Sequence, residues 1–147
     1  MNEELHAYTD GGARGNPGPA AIGVVIQRSP TSNIQLPTSI IWEYGEYIGI
    51  ATNNQAEYRA LICALERAKA MGATRLRCFL DSELLVKQLN REYRVKEPTL
   101  QPLYLKSYNL AQQFSLITFT HIRRELNNHA DRLVNEALDK FKKKWQS

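Results

Sequence analysis

The chain has 147 residues, 43% hydrophobic and 23% charged, with a formal net charge of +4; this is the size and mixture of one globular domain spanning 1–147 with a full core, mildly basic and compatible with a polyanionic partner. Cys63 and Cys78 form no C-x-x-C or Cys/His cluster, so neither a zinc site nor a disulfide framework is suggested, and buried thiols in a reducing compartment are expected. Met1-Asn2-Glu3-Glu4 is acidic and no apolar run approaches the length of a membrane span, so the expectation is a cytoplasmic protein with no membrane contact.

Leu5 to Thr9 reads as a first strand. It meets Asp10 and then a run from Gly11 to Pro19, rich in Gly and Pro, that is expected to end regular structure. Asp10 is thereby placed at a strand's end. A buried acid without a partner is costly, so Asp10 is either a solvated turn residue or is met by something cationic. Ala20 to Gln27, rich in β-branched residues, is a second strand expected to pair antiparallel with the first. Arg28 to Ser39 contains Pro30 and Pro37 and reads as a long loop. Ile40 to Tyr47 is a third strand in which Gly45 is expected to mark a bulge.

Thr52-Asn53-Asn54-Gln55-Ala56-Glu57 opens a helix that runs to about Ala70 and stops at Met71-Gly72, with Thr52, Asn53 or Asn54 as N-cap. Glu57, Leu61, Ala64, Leu65 and Ala68 share one stripe at helical spacing, which puts a carboxylate on the core side of the first turn. Leu76 to Leu80 is a fourth strand ending in Asp81-Ser82, and Ser82 to Asn90 is a short helix. Asp81 thus repeats the arrangement at Asp10, and it is equally well placed as an N-cap. Asn90 to Pro102, with Arg91, Arg94, Lys96, Glu92 and Glu97, reads as a solvated connection leading to a helix over Leu103 to Phe114. Leu116 to His121 is a fifth strand and Ile122 to Asn128 a polar loop. In the last helix, from His129, the apolar stripe is headed by an acid: Asp131, Val134, Leu138, Phe141 and Trp145. Lys140 and Lys142 to Lys144 complement that helix's C-terminal dipole. The whole is an α/β domain with a five-stranded mixed sheet flanked by helices, its first three strands antiparallel and its fourth and fifth parallel to the first through crossovers.

In such a sheet ligands bind beyond the carboxyl ends of the parallel strands, where Asp10 and Asp81 are expected. Glu57 and Asp131, at helix starts, can pack across the same edge. Four carboxylates brought together repel one another unless protons or cations neutralise them. Oxygen ligands alone favour hard cations, Mg²⁺ or Mn²⁺. Two such ions about 3.5 to 4 Å apart suit in-line displacement at a phosphodiester, so hydrolysis of a nucleic acid is the expected chemistry. Backbone N–H groups from Gly11 to Gly15, with the amides of Asn53, Asn54 and Gln55, fit a reader of phosphate and sugar, including 2′-hydroxyls in a wide minor groove.

These residues resemble the ordered motifs of the type 1 ribonuclease H family: Tyr8-Thr9-Asp10-Gly11 with Gly15-Asn16-Pro17-Gly18, then Thr52 to Glu57, Asp81-Ser82, and Ala130-Asp131-Arg132-Leu133. The resemblance covers nearly the whole chain. It implies a ribonuclease H-like fold, Asp10, Glu57, Asp81 and Asp131 as metal-binding catalytic carboxylates, hybrid contacts from Gly11, Asn16, Asn53, Asn54 and Gln55, and a DNA-strand phosphate on Thr52. The implied reaction cuts the RNA strand of RNA/DNA hybrids, leaving 3′-hydroxyl and 5′-phosphate ends. Separately, the protein is expected to be a monomer. Three departures stand out. A His-bearing Gly-rich loop is replaced by Arg123 to His129, resembling a shorter subgroup with an Arg-Glu-x-Asn-x-x-Ala-Asp pattern, where Arg124 is the candidate electrostatic substitute; His121 and His129 are given no role. The Trp- and Lys-rich protrusion has no counterpart between Asn90 and Pro102, which opens a broader duplex choice that includes double-stranded RNA. The loop from Arg28 to Ser39 is longer than usual. Two further readings are a same-fold nuclease with another preferred duplex and a catalytically silent duplex-binding module. Binding alone gives no reason to concentrate acids where a polyanion must dock.

Overall fold

The five strands are β1 (Glu3–Ala13), β2 (Gly18–Arg28), β3 (Ile40–Ala51), β4 (Ala73–Leu80) and β5 (Leu116–His121), and the helices α1 (Asn53–Ala70), α2 (Glu83–Leu89), α3 (Gln101–Ala111) and α4 (Asn128–Gln146). They come from a computed structural model that describes residues 3–29 and 40–146. The strands form one sheet in the order β3-β2-β1-β4-β5. β1, β2 and β3 pair antiparallel, and β4 and β5 run parallel to β1, the orientation expected from the sequence. Most of the expected loop from Arg28 to Ser39 lies outside the described residues.

β2 is buried along nearly its whole length because both of its faces are covered. On one face Leu5, Ala7, Val24, Ile26, Leu76 and Cys78 pack with Tyr58, Leu61 and Leu65 of α1. On the other, Ala21 meets Val134 and Leu138 of α4, and Val25 meets Ala130 and Leu133. The stripe expected on α4 therefore faces the sheet, with Phe141 stacked on Tyr47. The side chain of Trp145 lies outside the described residues.

The first strand is longer than its apolar pattern. Its parallel ladder with β4 ends at Thr9 and Leu80, but its antiparallel ladder with β2 continues to Ala13 opposite Ala20. Asp10 therefore lies inside β1 rather than at its end. It is still the first residue past the last β1–β4 rung, as Asp81 is the first past Leu80 on the neighbouring strand. Glycines do not end a strand that has a partner to bond to; the turn itself is closed by the Arg14 N–H donating to the Pro19 carbonyl at 2.8 Å. Likewise Gly45 marks no bulge. It pairs in register with Gly23, and the irregularities fall at Ile48, between the Ala20 and Ala21 rungs, and at Ile41, between those of Ile26 and Gln27.

The start of α1 is held by a capping box: the Gln55 N–H donates to Thr52 Oγ1 at 3.2 Å and the Thr52 N–H to Gln55 Oε1 at 2.9 Å. Of the three candidates, Thr52 is the N-cap. Replacing Thr52 with Ala is expected to cost about 1 kcal/mol of stability, seen as a lower urea midpoint with an unchanged slope. α3 starts two residues earlier than expected because Pro102 is tolerated in a first turn, where its missing N–H would be unpaired anyway. The buried Tyr58 hydroxyl and Gln88 Oε1, 2.6 Å apart, join α1 to α2.

Candidate active site

At the edge where β1 and β4 part, Asp10, Glu57 and Asp81 bring one carboxylate oxygen each within 4.8 Å of one another. Asp10 and Glu57 are each only 7% exposed. Asp131, from the first turn of α4, hydrogen-bonds with the Asp10 side chain and borders the same pocket of about 370 Å³.

Two close backbone approaches produce this convergence. A Cβ on Gly11 would lie 2.3 Å from the Ala56 carbonyl group and 2.5 Å from the Glu57 nitrogen, so the head of α1 rests directly on the main chain of β1. A Cβ on Gly23 would lie 2.2 Å from the Ala130 carbonyl oxygen, and one on Gly45 2.8 Å from that of Leu133. The bare glycine pair lets α4 settle on the sheet and carries Asp131 to Asp10. Asp81 does not cap α2. Ser82 does so, its hydroxyl accepting from the Leu85 N–H at 3.3 Å, which leaves the Asp81 carboxylate for the cluster.

Burial, and then the neighbouring charge of Asp81, push the Asp10 carboxyl up to about 7. Burial raises Glu57 as well, followed by the charges of Asp10 and Asp81, against which the Gly11 N–H donates to its carboxylate. Glu57 Oε2 is buried with no hydrogen-bond partner. The protein supplies little neutralisation: Arg14 and Arg124 are the cationic side chains lining the pocket among the described residues, and Arg14 is turned to Asp139 of α4 at 2.7 Å. A set of hard oxygen donors, one of them buried and unpaired, in a pocket with excess negative charge fits a divalent cation.

The other expected site residues divide in two. Gly11, Asn53 and Asn54 line the pocket, as does Arg124, which sits in a short 3₁₀ turn over Arg124–Leu126. Asn16 Oδ1 accepts from the Asn53 N–H at 3.0 Å and Asn53 Oδ1 from the Ala13 N–H at 2.8 Å, so these amides also fasten the β1–β2 turn to the head of α1. Thr52 and Gln55 spend their oxygens on each other's main chain. His129 lies 2.7 Å from Glu43 of β3, and His121 is exposed at the end of β5; neither lines the pocket.

Two asparagines beyond the expected set also reach the acids. Asn127 Nδ2 donates to the Thr9 carbonyl at 2.8 Å and lies 3.4 Å from Asp81 Oδ2. Asn135 Nδ2 reaches Asp131 O at 3.1 Å and Asp131 Oδ2 at 3.3 Å. The spacing of four from Asp131 to Asn135 on one helix face is a signal for the second. For the first, the only signal is its place in the Arg-Glu-x-Asn-x-x-Ala-Asp pattern.

A family model described as "Reverse transcriptase-like" matches residues 8–137. The chain is 43% identical over 130 residues to the "Bifunctional protein Rv2228c" of Mycobacterium tuberculosis, a match that covers 88% of this chain and 34% of that protein. The chain thus spans about a third of that relative's length. Among solved structures it resembles the RNase H1 of the halophilic archaeon Halobacterium salinarum NRC-1, with 42% identity, a TM-score of 0.86, and coverage of 93% of this chain and 98% of that one. It also resembles LC11-RNase H1, solved in complex with an RNA/DNA hybrid, with 45% identity, a TM-score of 0.82, and coverage of 92% and 97%.

Proposed function

We propose, from the premise that this chain belongs to the ribonuclease H family, that it is a metal-dependent endoribonuclease that hydrolyses the RNA strand of RNA/DNA hybrids to 3′-hydroxyl and 5′-phosphate ends. The observation that carries the reading is the cluster of Asp10, Glu57 and Asp81, with Asp131 beside it, at the open edge of the sheet. A duplex-binding module has no use for such a cluster, which repels the phosphates it would have to hold. The complex of LC11-RNase H1 with an RNA/DNA hybrid supports the choice of substrate.

In this reading Asp10, Glu57, Asp81 and Asp131 hold two Mg²⁺ ions, with Mn²⁺ as a substitute. Bound ions supply the positive charge that favours deprotonation of the attacking water and stabilises the leaving oxygen. The residues of the chain do the rest. Asp10 and Glu57, too buried to ionise readily alone, give up their protons when positive charge arrives. Asn54 offers its amide to the sugar-phosphate strand from the pocket wall, with the Gly11 main chain lining the same pocket. With the oxygens of Asn16 and Asn53 committed to the scaffold, their Nδ2 groups are what they present to the duplex. Arg124, exposed at the rim, adds positive charge near the scissile phosphate.

The deciding experiment is cleavage of an end-labelled RNA/DNA hybrid, with single-stranded RNA, double-stranded RNA and DNA in parallel, in Mg²⁺, Mn²⁺ and EDTA. Metal-dependent cutting within the RNA strand of the hybrid, with 5′-phosphate products, is expected. Double-stranded RNA is the informative second substrate, because the connection from α2 to α3 carries no helix that could grip the DNA strand. Cutting of double-stranded RNA in preference to hybrid would reassign the substrate. Binding of hybrid with no cleavage in either metal would leave only the binding module.

A further inference from the structure

Asn127 is 1% exposed and stands immediately before α4. Its side-chain nitrogen and its main-chain carbonyl both end on segments carrying one of the clustered acids. Its Nδ2 donates to the carbonyl of Thr9, the residue before Asp10, at 2.8 Å, and the same nitrogen faces Asp81 Oδ2 at 3.4 Å. Its main-chain carbonyl accepts from the Asp131 N–H at 3.1 Å, forming the first turn of α4. Its own N–H donates to the Arg124 carbonyl at 2.9 Å, closing the 3₁₀ turn that holds Arg124 at the pocket rim. One buried residue thus touches β1 and Asp81 with its side chain and the head of α4 with its main chain.

The chemistry of the amide suits that place. Thr9 forms the last rung of the β1–β4 ladder, and beyond it the two strands diverge. A neutral donor can satisfy the Thr9 carbonyl and face one oxygen of Asp81 together, leaving the other Asp81 oxygen for the cluster. An Asp here would add a charge to an already crowded set, and a Ser is too short to span both acceptors. Asn127 Oδ1, meanwhile, is buried with no hydrogen-bond partner. A buried acceptor left unpaired is unfavourable, so the residue is poorly chosen if stability is its only task.

We propose that Asn127 is a positioning residue: it sets Asp81 and the head of α4 against Asp10, so that the carboxylates stand in a cation-ready arrangement before a cation binds. The proposal rests on reading the cluster as a divalent-cation site. Partners of this kind, which orient ligands without touching the metal, typically change metal affinity by about 10- to 100-fold when removed.

The test is Mn²⁺ binding without nucleic acid, by calorimetry and by electron paramagnetic resonance, for wild type, Asn127→Ala, Asn127→Ser and, as a destabilised control remote from the site, Phe114→Leu. A dissociation constant raised about tenfold or more is expected in both Asn127 variants, with the metal concentration for half-maximal hybrid cleavage shifted in parallel and kcat largely restored at high metal. The control should bind as wild type does. An unmoved isotherm in Asn127→Ala, beside a lowered thermal midpoint, would reduce Asn127 to a structural residue. Should both variants misfold, the wild type still decides: the Asn127 side-chain NH₂ signals in ¹⁵N spectra should exchange slowly and shift with added Mg²⁺, whereas fast exchange and indifference to Mg²⁺ overturn the proposal. A wild type that binds no Mn²⁺ overturns the cation-site reading itself.

Discussion

Asp10→Asn will abolish cleavage of the hybrid, by about a thousandfold or more, and in metal-free buffer at pH 8 will make the protein more stable than the wild type. On the proposed function, the loss of activity follows from removing a charged oxygen ligand at the centre of the cluster, where electrostatic stabilisation of the reaction would be concentrated. The gain in stability follows from the same burial. The Asp10 carboxyl is raised from an ordinary value of 3.8 to about 7, first by burial and then by the Asp81 charge. Between those two values the folded protein keeps a proton that the unfolded chain releases, so stability is full below about pH 4 and is lost as the pH rises through 7. Asparagine cannot ionise and escapes this cost, which is on the order of 2 to 4 kcal/mol, since Glu57 takes up part of the relief. Calorimetric scans in EDTA from pH 4 to 8 should show a falling midpoint for wild type and a flatter, higher profile for the variant. Adding Mg²⁺ at pH 8 should raise the wild-type midpoint and leave the variant nearly unmoved, because only a competent site gains from the ligand. A variant that still cuts hybrid, or that is less stable than wild type at pH 8, would break the link between burial and cation binding.

Gly11→Ala should cripple the enzyme while leaving every charge in place. The added carbon would sit 2.3 Å from the Ala56 main-chain carbonyl group, where no flexible side chain can yield. The head of α1 must therefore lift, at a cost of about 3 kcal/mol, the upper end of ordinary overpacking. Glu57 lifts with it, and a displacement of about 1 Å at a reacting centre is enough to lose roughly a hundredfold in rate. Gly12→Ala is the matched control. Its added carbon meets only a Val134 methyl at 3.7 Å, an ordinary contact, so near-normal stability and activity are expected. Urea denaturation and single-turnover cleavage of both variants separate the effects. Equal behaviour of the two would mean that the approach of α1 to β1 does not hold the site.

Much of the frame was legible because local patterns carry it. Alternating apolar residues in β1 and the 3.6-residue stripes of α1 and α4 depend on which side chains recur at a given period, and that information is local. The out-of-place acids Glu57 and Asp131 were visible for the same reason, each standing at the head of an apolar stripe. Strand ends were less legible. β1 runs through Gly11 and Gly12 because β2 is there to bond it, and pairing is a property of two segments. The roles of Asp81 and Ser82 could not be told apart from spacing, since either side chain can cap α2 and only the fold shows which one does.

By itself, then, the sequence determined the elements, their order, the parallel and antiparallel sense of the strands, and the four acids whose positions conflict with simple burial. Tertiary structure decided how close those acids come and what holds them. Along the chain Gly23 signals nothing special and Gly45 signals only a bulge that does not form, yet together they form the seat on which α4 carries Asp131 to Asp10. Asn127 lies 118 residues from the carbonyl that it bonds and 46 from the carboxylate that it faces. The reason is physical: periodicity records which face of an element is buried, whereas ångström-scale approach depends on the absence or reach of particular side chains on segments that meet only in the folded state.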